Sequence, residues 1–202
     1  MRPGRTFRFA VLWSLSAGWL SGCRTAAPAP GAPHDPGCLT DLASLPPALK
    51  PGAGFTPSLR VAAHGTQSYT CLASDAGSAW GPAVPDATRA ACEGDDRAQG
   101  THFAGPTWQW SDSSTFVGSK GAGFVALPAP DAPTANVPWL LLPRKSGSDG
   151  GLLGTAQFVQ RLATVGGQPA DQSQSCDARA ADAGLTIKVP YRATYIFYRR
   201  AE

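Results

Sequence analysis

The stretch His102-Phe103-Ala104-Gly105-Pro106-Thr107-Trp108-Gln109-Trp110 concentrates a large apolar mass in a short segment. Its aromatic side chains can each bury roughly 150–250 Å². Gly105-Pro106 predicts a turn directly before the tryptophans. Because residues two apart lie on the same face of a strand, Trp108 and Trp110 are expected to share one face, on which a sheet packs.

Short strand-like runs, separated by turn residues, occur along the rest of the chain. The 23 glycines and 19 prolines recur every few positions and break any long helical period. The runs between them number nine or ten. We therefore predict an all-β fold, a single antiparallel β-sandwich or barrel-like domain of about nine to ten short strands with long loops.

Two hairpins are predicted. The first pairs Ser58–Ala63 with Thr66–Leu72 across a tip at His64-Gly65. In its second strand Gln67, Tyr69 and Cys71 alternate with Thr66, Ser68 and Thr70, and one side is expected to be buried. The second pairs Thr107–Trp110 with Thr115–Val117 across a polar turn.

Other segments are assigned by composition and period. Trp139–Leu142 is a continuous apolar run, as expected of a strand covered on both faces. Thr155–Val165 fits helix and strand spacing, and its Thr and Val content favours strand. Leu185–Tyr198 alternates as a strand, with Pro190 marking an edge or a bulge. Ala83–Gly100 looks the least structured.

The first 22 residues have the pattern of an export signal. A basic head containing Arg2, Arg5 and Arg8 precedes an apolar run from Phe9 to Leu20, which is too short to span a bilayer as a stable helix. The run ends in Leu20-Ser21-Gly22-Cys23. This tetrapeptide resembles the lipobox of bacterial lipoproteins, in which the cysteine receives a diacylglycerol and becomes the new N-terminus.

These features predict a domain organisation and a location. Residues 1–22 are expected to be a lipoprotein signal peptide, 23–37 an Ala/Pro-rich tether and 38–202 a single β domain. The expected membrane contact is through lipidated Cys23. By resemblance to enterobacterial sorting rules, Arg24 in place of an aspartate favours the outer membrane. The alternative is an ordinary secretory signal with a chance cysteine, and a periplasmic or secreted protein.

Charge argues against a nucleic-acid partner. The chain has 17 basic and 14 acidic residues. These numbers become equal when residues 1–22 are removed, because that segment contains three basic residues and no acidic residue. Nucleic-acid binding requires clustered positive charge, which this balance does not predict.

Four cysteines remain after the expected processing: Cys38, Cys71, Cys92 and Cys176. An even number in an exported chain, without Cys-x-x-Cys spacing, predicts two disulfides. Three connectivities are possible from the sequence, and free buried cysteines are the alternative.

Blocks that fall in order across residues 45–200 resemble the secreted bacterial and fungal proteins grouped as domain of unknown function 3455. They are Gly65-Thr66-Gln67-Ser68-Tyr69-Thr70-Cys71, His102 to Trp108, Val137-Pro138-Trp139-Leu140-Leu141-Leu142, Gln160-Arg161 with Thr164-Val165-Gly166-Gly167, and Val189-Pro190-Tyr191 with Tyr195 to Tyr198. The resemblance implies an exported all-β single domain with no established activity. Cys38, Cys92 and the acidic Glu93–Asp96 loop are more like the fungal arrangement.

No catalytic residue, metal site or cofactor is predicted. The histidines lack metal-ligand spacing, no Gly-x-Ser-x-Gly is present, and no Gly-x-Gly-x-x-Gly links a strand to a helix. The simplest interpretation places His64 in a turn and bonds His102 to a backbone carbonyl beside the Gly-Pro bend. The enzymatic alternative is a hydrolase or metal-dependent enzyme of unrecognised type, using His102 with a nearby carboxylate such as Asp112.

Binding is the stronger functional interpretation. Trp108 and Trp110 are expected to pack in the core, with stacking on a sugar ring or an aromatic small molecule as the alternative. Arg161 is expected either to offer polar contacts in a pocket or to pair with a buried carboxylate or carbonyl. The sequence thus predicts a lipid-anchored, non-catalytic binding or structural domain, with His102, Trp108, Trp110 and Arg161 as candidate ligand-binding residues. A small molecule or glycan is the expected ligand.

Overall fold

The computed structural model describes residue 38 and residues 41–92, 99–169 and 175–202. The predicted signal peptide, lipidated Cys23, the tether and the 93–96 acidic loop lie outside the described residues. The described elements are a 3-10 turn at Pro47–Leu49, one helix, α1 (Ala178–Asp182), and ten strands. The strands are β1 (Phe55–Ser74), β2 (Gly77–Trp80), β3 (Val84–Ala91), β4 (Gly100–Phe103), β5 (Thr107–Trp110), β6 (Thr115–Gly118), β7 (Val125–Leu127), β8 (Trp139–Gly147), β9 (Phe158–Gly166) and β10 (Thr186–Arg200).

The strands form one antiparallel sheet that closes on itself. Its order is β10-β9-β8-β6-β5-β4-β3-β1-β2, and β10 also pairs with β1. Eight strands therefore form a ring, while β2 extends from one end of β1 and β7 lies beside β8. This confirms the all-β prediction, with a ring-like sheet rather than a regular barrel.

The predicted hairpin at His64-Gly65 is wrong, because β1 runs without interruption from Phe55 to Ser74. Gly65 pairs with Tyr191 of β10 on one side and Ala87 of β3 on the other. A Cβ at position 65 would lie 2.1 Å from Asp86 O and 2.5 Å from Ala87 Cα. The glycine is thus required for close approach of the β3 backbone, and His64 lies in a strand instead of a turn.

The described part of Ala83–Gly100 is also more regular than its composition predicts, since it contains β3. The remaining assignments agree better with the structure. Thr107–Trp110 and Thr115–Val117 form the expected hairpin. Thr155–Val165 contains strand β9. The pairing of β10 with β9 ends at Tyr191 and Gly166, and Pro190 lies just beyond it. The missing N–H of Pro190 therefore does not interrupt the β9–β10 hydrogen bonds.

Two apolar layers cover the closing strands. Inside the ring, aromatic side chains from three strands pack together, including Trp108, Phe116, Tyr195 and Phe197. Outside it, Leu141, Leu162, Ile196 and Tyr198 are covered by Leu45 and Leu49 of the segment that contains the 3-10 turn. Strand β8 contributes to both layers, as its continuous apolar run predicted.

Two disulfides join distant segments of the chain. Cys71 of β1 bonds to Cys176, before α1, and Cys38 bonds to Cys92, after β3. They confirm the predicted disulfides and select one of the three possible connectivities. In the described parts of the chain, no helix combines the length and the apolar character that crossing a membrane requires.

The Cys71–Cys176 disulfide should contribute strongly to stability, because it spans 105 residues of sequence. We expect the double variant Cys71→Ser/Cys176→Ser to lose roughly 4–5 kcal/mol of unfolding free energy in urea denaturation, from the higher entropy of the open unfolded chain. Removing Cys38–Cys92, with a separation of 54 residues, is the matched comparison. Its loss should be smaller by about 0.6 kcal/mol, and a clearly larger loss would contradict the chain-entropy account.

Candidate functional site

One end of the ring contains a cavity of about 470 Å³. Three loops meet at this end of the ring: the loop before β3, the loop between β4 and β5, and the loop after β6. They meet because alternate connections of an antiparallel sheet lie at the same end. The lining of the cavity includes three of the four candidate residues, His102, Trp108 and Arg161, and also Gln67, Leu140 and Tyr195. This volume is within the usual 300–1,000 Å³ of small-molecule sites.

An aromatic stack forms one wall of the cavity. His102 and Trp108 are direct partners on β4 and β5, and their rings stack with centroids 4.2 Å apart and planes 8° from parallel. The turn at Gly105, whose φ is +88°, makes this pairing possible. Tyr195 meets both rings edge-on, at 5.3 and 5.4 Å. The wall is therefore held from three strands.

His102 is buried, and its ring is oriented by the backbone. Nδ1 lies 2.9 Å from Thr107 O, so Nδ1 donates and Nε2 is left as the acceptor of the neutral ring. This confirms the expected bond to a carbonyl beside the Gly-Pro bend. Burial lowers the pKa of His102 to about 3, against a raising effect of the Thr107 bond and with further lowering by Arg89 and Arg161. Such a ring is a weak base at neutral pH.

Arg161 projects into the ring from β9, opposite Leu140 of β8 and Tyr195 of β10. Its Nε donates to Pro138 O at 2.9 Å. The expected carbonyl bond and the expected place in a pocket are therefore both present. Among the described residues no carboxylate forms an ion pair with it. Among the described residues, the terminal guanidinium nitrogens of Arg161 have no hydrogen-bond partner.

Gln67 of β1 is a member of the cavity lining that sequence reasoning did not select. Its side chain is 1% exposed, and Nε2 has no hydrogen-bond partner among the described residues. A buried donor without a partner costs about 1–3 kcal/mol. A signal was present in the sequence, because Gln67 lies on the same alternating side as Tyr69 and Cys71, and one side of that strand was predicted to be buried.

Trp110 lies in the interior but does not line the cavity. It shares the buried face of β5 with Trp108, as predicted, and Arg89 lies over its ring at 5.5 Å. Both tryptophans are buried, at 1% and 9% exposure. Core packing is therefore confirmed for both. Trp108 alone combines packing with a place in the cavity wall.

Asp112, the carboxylate suggested for a pair with His102, has a different role. Its side chain is exposed in the turn between β5 and β6. One carboxylate oxygen accepts from Ser114 N at 2.9 Å, and the other from Leu152 N at 2.8 Å. Hydrogen bonds, first that of the Ser114 side chain, lower the pKa of Asp112. The carboxylate thus fixes two loops.

The described lining of the cavity offers groups that can contact a ligand. It contains Arg161 and Lys120 but no described aspartate or glutamate. Within the described ranges, no group of three or more His, Cys, Asp and Glu side chains is placed to hold a metal ion. Hydrogen-bond donors, aromatic faces and aliphatic side chains are present, as in small-molecule sites.

The low pKa of His102 predicts acid sensitivity. The folded-state pKa of about 3 lies below the ordinary 6.5, so the unfolded chain takes up this proton first. Unfolding free energy should fall by up to about 1.4 kcal/mol per pH unit as pH drops from about 6.5 towards 3. In urea denaturation across this range, His102→Gln should lack this contribution. An NMR titration midpoint near 6.5 for His102 in the folded protein would contradict the assignment.

Comparison with known proteins adds a family but no activity. The family model described as "Protein of unknown function (DUF3455)" matches residues 51–199. No curated protein and no solved structure matches the chain. The matched range contains most of the ring and the whole cavity lining. The chain therefore belongs to the domain of unknown function 3455 family, as the sequence blocks predicted.

Proposed function

We propose that this protein is a lipid-anchored, non-catalytic envelope protein whose β-ring binds a small organic molecule in the cavity beside the His102–Trp108 stack. The cavity is the observation that carries the proposal, because it brings polar donors and aromatic side chains from several strands to one place. A packed ring with a purely architectural role would not need it.

The geometry favours binding over catalysis. His102 is held by Thr107 O, and its pKa of about 3 makes it a poor general base. The carboxylate partner that the enzymatic alternative requires does not line the cavity. The same cavity has a volume and polar groups that suit a ligand.

Ligand binding should change the fluorescence of Trp108 and depend on an open cavity. We expect at least one member of a glycan and metabolite panel to shift or quench the emission. Ala126 lines the cavity and is exposed, so Ala126→Phe should narrow the opening and weaken that binding about tenfold or more. Ala73→Phe, at an exposed position of β1 outside the cavity, is the matched control. Silence across the panel would leave only a structural role.

The anchor is tested separately. In a bacterial host we expect palmitate labelling of the wild-type protein, sensitivity of its processing to globomycin, and loss of labelling in Cys23→Ser. The outer-membrane assignment predicts that Arg24→Asp moves the protein to the inner membrane of an enterobacterial host, while Arg24→Asn does not. Unchanged labelling in Cys23→Ser would rule out the anchor without affecting the cavity.

A further inference from the structure

We propose that the ligand of the cavity is a small organic anion, with its acidic group at Arg161 and Gln67 and a flat apolar body against Trp108 and Leu140. This inference rests on the proposed function and names the chemical class of the ligand. Three independent features of the interior lead to it.

The first feature is uncompensated positive charge. Arg161 lines the cavity and Lys120 lies at its exposed edge. Arg89 adds a third cation inside the ring, where its Nη2 donates to Thr101 O at 2.7 Å. Burial lowers the pKa of Arg89 to about 10, so it remains charged at neutral pH.

No carboxylate compensates this charge inside the described ring. Every described aspartate and glutamate side chain is exposed, and the described ion pair, Arg199 with Glu202, lies at the C-terminal end of the chain. Buried charges are normally paired. An interior that contains arginines without acids therefore favours an anion and disfavours a cation.

The second feature is the unpartnered amide of Gln67. Its buried Nε2 is a donor that lacks an acceptor. Arg161 lines the same cavity as Gln67. Its positive charge also partly lowers the pKa of Tyr69, which burial raises. Tyr69 is two residues along β1 from Gln67, on the same face. One acidic group can thus accept from both side chains, which satisfies the amide.

The third feature is the shape of the remaining wall. Trp108, Phe124, Leu140 and Leu142 line the cavity with apolar surface. The Trp108 ring, which stacks on His102, is part of this lining, and an aromatic ring suits a flat body. An inorganic anion would leave this surface without contact, so the ligand should carry both parts.

Two dyes with the same aromatic skeleton test the proposal. 8-Anilinonaphthalene-1-sulfonate carries an acidic group, and N-phenyl-1-naphthylamine lacks it. In fluorescence titrations of the full folded protein we expect one binding site for the sulfonate and at least tenfold weaker binding of the neutral amine. Naphthalene-2-carboxylate should displace the sulfonate, whereas naphthalene-2-carboxamide and inorganic phosphate should not.

Variants locate the acidic group. Arg161→Gln should weaken sulfonate binding at least tenfold, without weakening the neutral amine, because one charge-assisted contact is lost. Arg161→Lys should bind the sulfonate more tightly than Arg161→Gln and less tightly than the wild-type protein. Arg192→Gln removes the same charge from an exposed position of β10 and should leave both dyes unchanged.

Gln67→Leu separates binding from structure. Removal of an unpartnered buried amide should leave unfolding stability unchanged or raise it, while sulfonate binding weakens. Lower stability with unchanged binding would assign Gln67 a structural role and overturn its part in the proposal.

The outcomes distinguish the two levels of the proposal. Equal binding of both dyes, with loss in Ala126→Phe, would keep the cavity as a binding site and reject the anion. Binding of neither dye would reject the anion, and the wider panel would then decide the proposed function.

Discussion

The pairing of β1 with β10 is the constraint on which the rest of the structure depends. It joins residues 55–70 to residues 186–200, so the sheet closes into a ring when segments more than 100 residues apart in sequence meet. Closure removes the exposed edges that an open sheet would present along these strands. It also creates an enclosed interior, without which neither the aromatic core nor the cavity would exist. The Cys71–Cys176 disulfide lies at the end of this pairing and limits its separation.

Closure also explains why both faces of β10 are apolar over much of its length. Tyr195 and Phe197 point into the ring, while Ile196 and Tyr198 are covered from outside by the segment around Leu49. Gln160 fixes this covering, since its side chain donates to Leu49 O and accepts from Tyr198 Oη. The outer layer therefore holds the strand that shapes the cavity wall. The Gln160 side chain thus has hydrogen-bond partners in the outer layer, whereas Nε2 of Gln67 in the cavity has none among the described residues.

Local sequence patterns located some of the strands correctly. The β5–β6 hairpin has a polar turn between alternating runs, and β8 has an unbroken apolar run, so both could be located. The pattern was misleading at Gly65, because a glycine needed for a close strand approach looks like a turn glycine. For the site, the bond between His102 and Thr107 O followed from five residues of local sequence. Gln67 was not selected from the sequence, because the sequence does not show that its buried amide lacks a hydrogen-bond partner.

The sequence by itself determined an all-β chain, the sharing of one buried face by Trp108 and Trp110, and the membership in its family. These properties depend on short-range alternation, turn chemistry and contiguous blocks, which a linear chain displays directly. Only the tertiary structure decided which cysteines pair, that the sheet closes, and that His102, Arg161 and Gln67 meet at one cavity while Trp110 does not. Those outcomes depend on contacts between segments far apart in sequence, whose register is set by packing of the whole ring and not by any local pattern.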